Sequence, residues 1–364
     1  MSKRQKQAPL GADLLFAAIA FVLTFSATLV GQRMVQSTAS NSSPAGNTQV
    51  VQLDGAGASF SAILYERYFR ELNREFPDLQ VSYQPVGSGA GIRQIIGETL
   101  DFAASDAAMT DEEIAQVDRG ILLIPTSGGS VALVYNLPGI PDLKLSRSVY
   151  PAIFLGEITR WNDPRIAADN PGVNLPDLPI RNVVRSDGSG TTFIFTNHLS
   201  AISPDFDSSI GVSMIPRWTN NPIQARGNPG VAAQVSRTPG GIGYVEYAFA
   251  QQNNLPTALL ENRSGEYVAP VLEEAEKALE SVEFPEDFRV FVSDPETGYP
   301  ITGLTWMIIY RQYEDAETAE AIKQMVEWIM TDGQALNNSL EYVDIPDEVA
   351  ERAIEITRSE VTAP

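Results

Sequence analysis

VVQLDGAGASFSAILYERYFRELNREFP, residues 50–77, sets a β-branched run before a glycine-rich turn and an apolar stripe that stops at a proline. VVQL suits an extended, partly buried segment. Ile63, Leu64, Tyr68, Leu72 and Phe76 recur mostly three to four residues apart, which is one face of a helix, and Pro77 ends it. Strand, glycine turn, helix is the unit from which α/β architecture is built.

The unit recurs. LQVSYQPV (79–86) reads as a strand, GSGAG as the turn and IRQIIGETL as a short helix. DFAAS (101–105) is strand-like, and Thr110 with Glu113 has capping-box spacing for a helix that follows. ILLIP (121–125) and VALVYNL (131–137) read as two further apolar strands. LSRSVYPAIFLGEITRW (145–161) reads as a helix, and PIRNVVRSDGSGTTFIFTNHL (179–199) as strand, loop and helix. GIGYVEYAFAQQN gives strand then helix, residues 271–289 an exposed helix and connection, and ITGLTWMIIY (301–310) a strong strand. ETAEAIKQMVEWIMTDG and PDEVAERAIEITRSEV close the chain as helices. The alternation predicts α/β architecture with mainly parallel sheets.

Composition excludes several chemistries. The 364 residues include no cysteine and one histidine, His198. Disulfides, thiol catalysis, iron–sulfur clusters, a lipidated cysteine anchor and multi-histidine metal sites are therefore out. The formal net charge of -21 argues against nucleic acid, whose phosphates need basic stripes. The N-terminus carries Lys3, Arg4 and Lys6 before LLFAAIAFVLTFSATLV (14–30). Residues 1–35 are expected to be a signal peptide or a retained signal anchor, which places the bulk of the chain outside the cytoplasm. Residues 36–49, small, polar and turn-rich, are expected to be a linker.

Three segments share one design: LDGAGASF (53–60), PVGSGAG (85–91) and RSDGSGTT (185–192). Each sets a glycine-rich turn with a hydroxyl between a strand and a helix. A helix N-terminus offers unpaired N–H groups and a positive dipole end, and glycine lets the backbone approach a ligand. Each serine also has a structural reading as a helix cap. GAGASF is a weak match to a dinucleotide turn, because Phe60 stands where the third glycine belongs. Ser189 as a nucleophile would need His198 as its base. His198 lies nine residues further along a helix, about 13 Å at 1.5 Å per residue, which leaves it a packing or surface residue. Asp106 is either a turn or cap aspartate or an acceptor in a ligand pocket. The second role suits an anion only if that anion carries a proton.

Taken in order, GAGASF, YQPVGSGAGIRQII, DFAASDA, WNDPRI, RSDGSGTTFIFTNHL, PGGIGYVEYAFAQQNNL and PITGLTWMII resemble the periplasmic phosphate-binding proteins of phosphate-specific ABC transporters. The resemblance covers most of the chain after residue 50. It implies a type II periplasmic-binding-protein fold, two α/β lobes joined by two strands with ligand in the cleft between them. Lobe one is expected at 50–128 plus 300–364 and lobe two at 129–299. By resemblance the phosphate-binding residues are Ser59, the Phe60 N–H, Ser88, Asp106, Arg185, Ser189, Gly190 and Thr191, with Asp187 holding Arg185. The implied protein is a non-enzymatic, monomeric phosphate receptor without cofactor or metal, which delivers inorganic phosphate to membrane permease subunits. The alternatives are a receptor for a related oxyanion, a serine hydrolase and a dinucleotide-binding enzyme.

Overall fold

The computed structural model describes residues 50–364, so the predicted signal segment and linker lie outside the described residues. The described residues fall in one compact unit. Their strands are β1 (Val51–Gly57), β2 (Leu79–Gln84), β3 (Phe102–Ser105), β4 (Ile121–Tyr135), β5 (Lys144–Leu145), β6 (Arg181–Arg185), β7 (Ile223–Ala225), β8 (Gly241–Glu246), β9 (Leu259–Glu261), β10 (Tyr267–Val268) and β11 (Thr302–Tyr310). Eight form one sheet in the order β2-β1-β3-β11-β4-β8-β6-β7, and β10-β9-β5 form a small second sheet.

The α/β expectation holds, but the large sheet is mixed rather than mainly parallel. β1 pairs parallel with β2 and β3, and β6 pairs parallel with β7 and β8. The middle is antiparallel: β11 pairs with β3 and β4, and β4 pairs with β8. The parallel groups are built from strand–helix–strand crossovers, which force parallel neighbours. The chain then runs out along β4 and back along β11, so that central pair must oppose.

β4 also corrects the sequence reading. ILLIP and VALVY belong to one buried strand, with TSGGS inside it, and Asn136 and Leu137 lie past its end. Residues 121–130 pair with β11 and residues 131–135 pair with β8. β11 supplies partners straight through the glycines, with a register shift only between Thr305 and Trp306. Gly129 is there for space: a Cβ on it would lie 3.1 Å from the Phe60 ring.

Other elements are shorter or rotated. Within the segment 145–161 the helix is confined to Val149–Leu155, and it ends at Gly156 in the left-handed region. The helix Ala62–Glu75 buries Leu64, Tyr65, Tyr68, Phe69 and Leu72, while Phe76 lies past its end. Its inner face packs Tyr65 on Tyr83 (centroids 5.1 Å apart) and Phe69 on Phe102 (5.6 Å). Such pairs contribute roughly 0.5–1.5 kcal/mol each beyond area burial. The capping box at Thr110 and Glu113 forms, on a single turn, Asp111–Ile114. No helix of the described residues is long and apolar enough to cross a membrane.

One contact fixes where the second glycine-rich loop sits. A Cβ on Gly91 would lie 2.7 Å from the Gly57 Cα, so the helix Ser88–Ile96 rests directly on the end of β1. This places Ser88 at the carboxyl ends of β1 and β3, the edge where open α/β sheets gather ligands.

Candidate binding site

The three glycine-rich loops and the loop after β3 meet at one buried point. Ser59, Ser88, Asp106, Arg185, Ser189 and Thr191 are all buried there. The Ser88 hydroxyl accepts from the Gly190 N–H at 3.1 Å, and the Ser59 hydroxyl accepts from the Asn228 backbone N–H at 3.0 Å. Backbone meets backbone where the Gly89 N–H donates to the Gly188 carbonyl at 3.0 Å. A Cβ on either of these glycines would fall 3.2 Å from the other's Cα. The sequence separations are large, so the tertiary fold and not local turn structure assembles the cluster.

Capping accounts for one of the three serines. Ser189 is the N-cap of the helix Gly190–Ile202, and its hydroxyl accepts from the Thr192 N–H. Ser59 lies before the cap position of its helix, which is Ser61. Ser88 follows the cap position, Gly87, whose φ of 101° suits only glycine well. The hydroxyls of Ser59 and Ser88 accept across the cluster instead of capping. Phe60 is wholly buried; its carbonyl accepts from the Tyr342 hydroxyl at 2.6 Å.

Asp106 is the acceptor in a neighbourhood of donors. Its Oδ1 accepts from the Thr305 hydroxyl at 2.9 Å, and its Oδ2 is buried without a hydrogen-bond partner. A Cβ on Gly190 would fall 2.6 Å from that Oδ2. Burial pushes the Asp106 carboxyl up to about 7, against the opposing pull of Thr305, Arg185, Ser88 and Thr191. A buried carboxylate oxygen with nothing to accept from is costly, and it is a place for a ligand's proton.

Arg185 is held on both sides. Its Nε and Nη2 donate to Asp187 Oδ1 and Oδ2 at 2.9 and 2.6 Å, a bidentate fork. Its Nη1 donates to the Thr191 hydroxyl at 3.3 Å. Burial works against ionisation of Asp187, but the Arg185 fork and the Gly227 N–H outweigh it and hold the carboxyl below the usual range. The guanidinium charge is therefore largely answered before any ligand arrives.

His198 takes no part. It is buried, with Nε2 on the Tyr150 hydroxyl at 2.7 Å and Nδ1 on the Ser293 carbonyl at 2.7 Å. Both ring nitrogens are occupied away from Ser189, whose own hydroxyl serves as a cap. That leaves no catalytic pair, and it makes His198 a packing residue rather than a surface one. Among the described residues, no group of acidic or histidine side chains is placed to hold a metal ion.

Two members of the cluster escaped the sequence reading. Thr305 sits inside an apolar strand, next to Trp306, which pairs with Ser105 and so brings the threonine beside Asp106. Asn228 lies in the first turn of the helix Gly227–Arg237, and its side chain reaches Ser59 and Thr191. Its signal was the same strand–glycine–helix order, in IQARGNPG, but without a hydroxyl.

Residues 42–333 match the family described as the PBP superfamily domain. The phosphate-binding protein PstS of Pasteurella multocida is 38% identical over 311 residues, covering 84% of this chain and 89% of that protein. The phosphate-binding protein PstS of Haemophilus influenzae is 38% identical over 307 residues, covering 83% and 91%. A solved high affinity periplasmic phosphate-binding protein with phosphate bound shares the fold, with a TM-score of 0.70 at 20% identity over 83% of this chain and 92% of that one.

Proposed function

This chain belongs to the phosphate-binding proteins of the PBP superfamily, and on that premise we propose that its buried cluster binds inorganic phosphate outside the cytoplasm for delivery to an ABC importer. It is a transport receptor and not an enzyme. Its relatives are named for phosphate binding, and the fold is that of a periplasmic phosphate-binding protein.

The observation that carries the reading is the unpartnered Oδ2 of Asp106 beside a set of neutral donors. Near neutral pH phosphate carries at least one hydrogen, while sulfate carries none. Asp106 accepts that hydrogen. Opposite it, the hydroxyls of Ser59, Ser88, Ser189 and Thr191, the Phe60 N–H and Arg185 donate to the bare oxygens, and the Gly190 N–H, which in this structure donates to the Ser88 hydroxyl, turns to the phosphate when it binds. Asp187 holds Arg185 in place. Against sulfate the same carboxylate meets an unprotonated oxygen, and discrimination of about 10⁴–10⁵ follows. Neutral dipoles in a dry site do most of the binding, so an overall charge of -21 is no obstacle.

The architecture behind this is two lobes, 50–128 plus 300–364 and 129–299, closing on the ligand. The switch of β4 from β11 to β8 between residues 130 and 131 supports it, because the two crossing strands lie side by side there. The protein works as a monomer in the periplasm. Residues 1–35 export it and are either removed or kept as an anchor. The partner at the membrane is the importer's permease.

Isothermal calorimetry of the purified protein with phosphate and with sulfate tests the reading. Phosphate is expected to bind at micromolar protein and sulfate to give no heat. No heat with phosphate overturns the function, and comparable affinity for sulfate overturns the role of Asp106.

A further inference from the structure

We infer that Asn228 is a positioning residue that fixes which way the ligand-binding hydroxyls point; this rests on the phosphate-binding reading of the cluster. A hydroxyl has one hydrogen and two lone pairs, and it donates or accepts according to its neighbours. The Ser59 hydroxyl accepts from the Asn228 N–H and from Asn228 Nδ2, both at 3.0 Å. Both of its lone pairs are then used. The Thr191 hydroxyl accepts from Asn228 Nδ2 at 3.1 Å and from Arg185 Nη1 at 3.3 Å, and its lone pairs are used as well. Each hydroxyl keeps only its hydrogen, so each acts as a donor.

The inventory on Asn228 closes. Its amide nitrogen has two hydrogens, one for Ser59 and one for Thr191. Its Oδ1 accepts from the Glu246 backbone N–H at 2.9 Å. That last bond sets the amide's orientation, because the reverse placement would set NH₂ against N–H. The order of control therefore runs from the Glu246 backbone, through a wholly buried amide, to two hydroxyls on different loops.

Specificity follows. An oxygen facing Ser59 or Thr191 must be bare, since a protonated oxygen would set hydrogen against hydrogen. The ligand's hydrogen is then directed to Asp106. Asn228 thus fixes how phosphate is oriented, without contributing the charge that attracts it.

The test is a double-mutant cycle read by phosphate calorimetry: wild type, Asn228→Ala, Ser59→Ala and the double variant, with thermal unfolding as a check on folding. Asn228→Ala is expected to weaken phosphate binding by about 10- to 100-fold. In the Ser59→Ala background the same change is expected to cost at least about threefold less, because one hydroxyl it directs is gone. An equal loss in both backgrounds, or no loss in either, overturns the inference. If the alanine variant does not fold, Asn228→Asp takes its place. It keeps an oxygen on the Glu246 N–H but replaces the donor with an acceptor. Its loss must also be larger with Ser59 present than without it, and an equal loss overturns the inference. A wild-type protein that binds no phosphate defeats the phosphate reading itself, which is a separate result.

Discussion

The Gly190 backbone lies so close to Asp106 that a methyl group on it would sit 2.6 Å from the carboxylate's Oδ2 and from the Asp106 Cβ. The two residues belong to different loops, one after β3 and one at the start of the helix Gly190–Ile202. The contact brings the acceptor of the site against its donors, and it leaves no room for any side chain.

Gly190→Ala is therefore expected to block approach of the two walls. The position opens a helix, so the backbone itself suits alanine and the effect is that of the added methyl. We expect a loss of phosphate affinity of at least about 100-fold, with thermal stability lowered by about 1–3 kcal/mol because the methyl overpacks a buried contact. Calorimetry beside thermal unfolding checks this, and a variant that binds normally would show that the walls do not close this tightly.

Asp106→Asn separates stability from selectivity. The folded carboxyl titrates near 7, well above its ordinary value, so the folded state holds a proton that the unfolded state has already lost. Stability therefore falls as pH rises from about 4 to about 7. At about 1.4 kcal/mol per pH unit, that amounts to at most roughly 4 kcal/mol. The asparagine variant is expected to be more stable than wild type at pH 8 without phosphate, and indistinguishable near pH 4. Its preference for phosphate over sulfate is expected to drop by at least about 100-fold. Unfolding curves across pH and competition calorimetry check the two halves separately.

Asp187→Asn tests the fork on Arg185. Leaving a buried guanidinium without its carboxylate is expected to cost about 3 kcal/mol of stability. Phosphate affinity is expected to fall about tenfold, as the side chain loses its fixed position. In wild type the Asp187 carboxyl is held below its ordinary value, so its contribution is present above pH 4 and is lost as pH falls through the lowered value. The variant should lack this part of the acid limb, which denaturant titrations at stepped pH would show.

His198→Gln should leave phosphate affinity within about twofold of wild type, because neither ring nitrogen faces the cluster. Burial pushes the imidazole down to about 4, so the folded state resists a proton that the unfolded state accepts below about 6.5. That contribution to stability is lost as pH falls from 6.5 towards 4. It is expected to be missing from the glutamine variant's unfolding profile. A large loss of phosphate affinity would return the histidine to the site.

Much of this was legible because close backbone approach demands glycine and leaves a mark in the sequence. GAGASF, GSGAG and DGSGTT stand where strands hand over to helices, and all three loops reach the cluster. The same mark misled at TSGGS, where glycine clears space for the Phe60 ring inside a continuous strand. Thr305 was hidden because its meaning lies in the register of β11 against β3, which no local pattern encodes. Asn228 was hidden because its work is done on other residues' hydroxyls. The lone histidine drew notice by its rarity, yet its place is in the core.

The contact between Gly89 and Gly188 has a consequence for mutational tolerance. Neither position strains its own φ, so each taken alone would accept alanine. Facing each other they are tight, since a methyl on either would come 3.2 Å from the opposite Cα and that backbone would have to give by a few tenths of an ångström. Two sites far apart in the chain are thus coupled through space. A substitution at either is judged by how much the other can yield, although neither presents a side chain to the ligand.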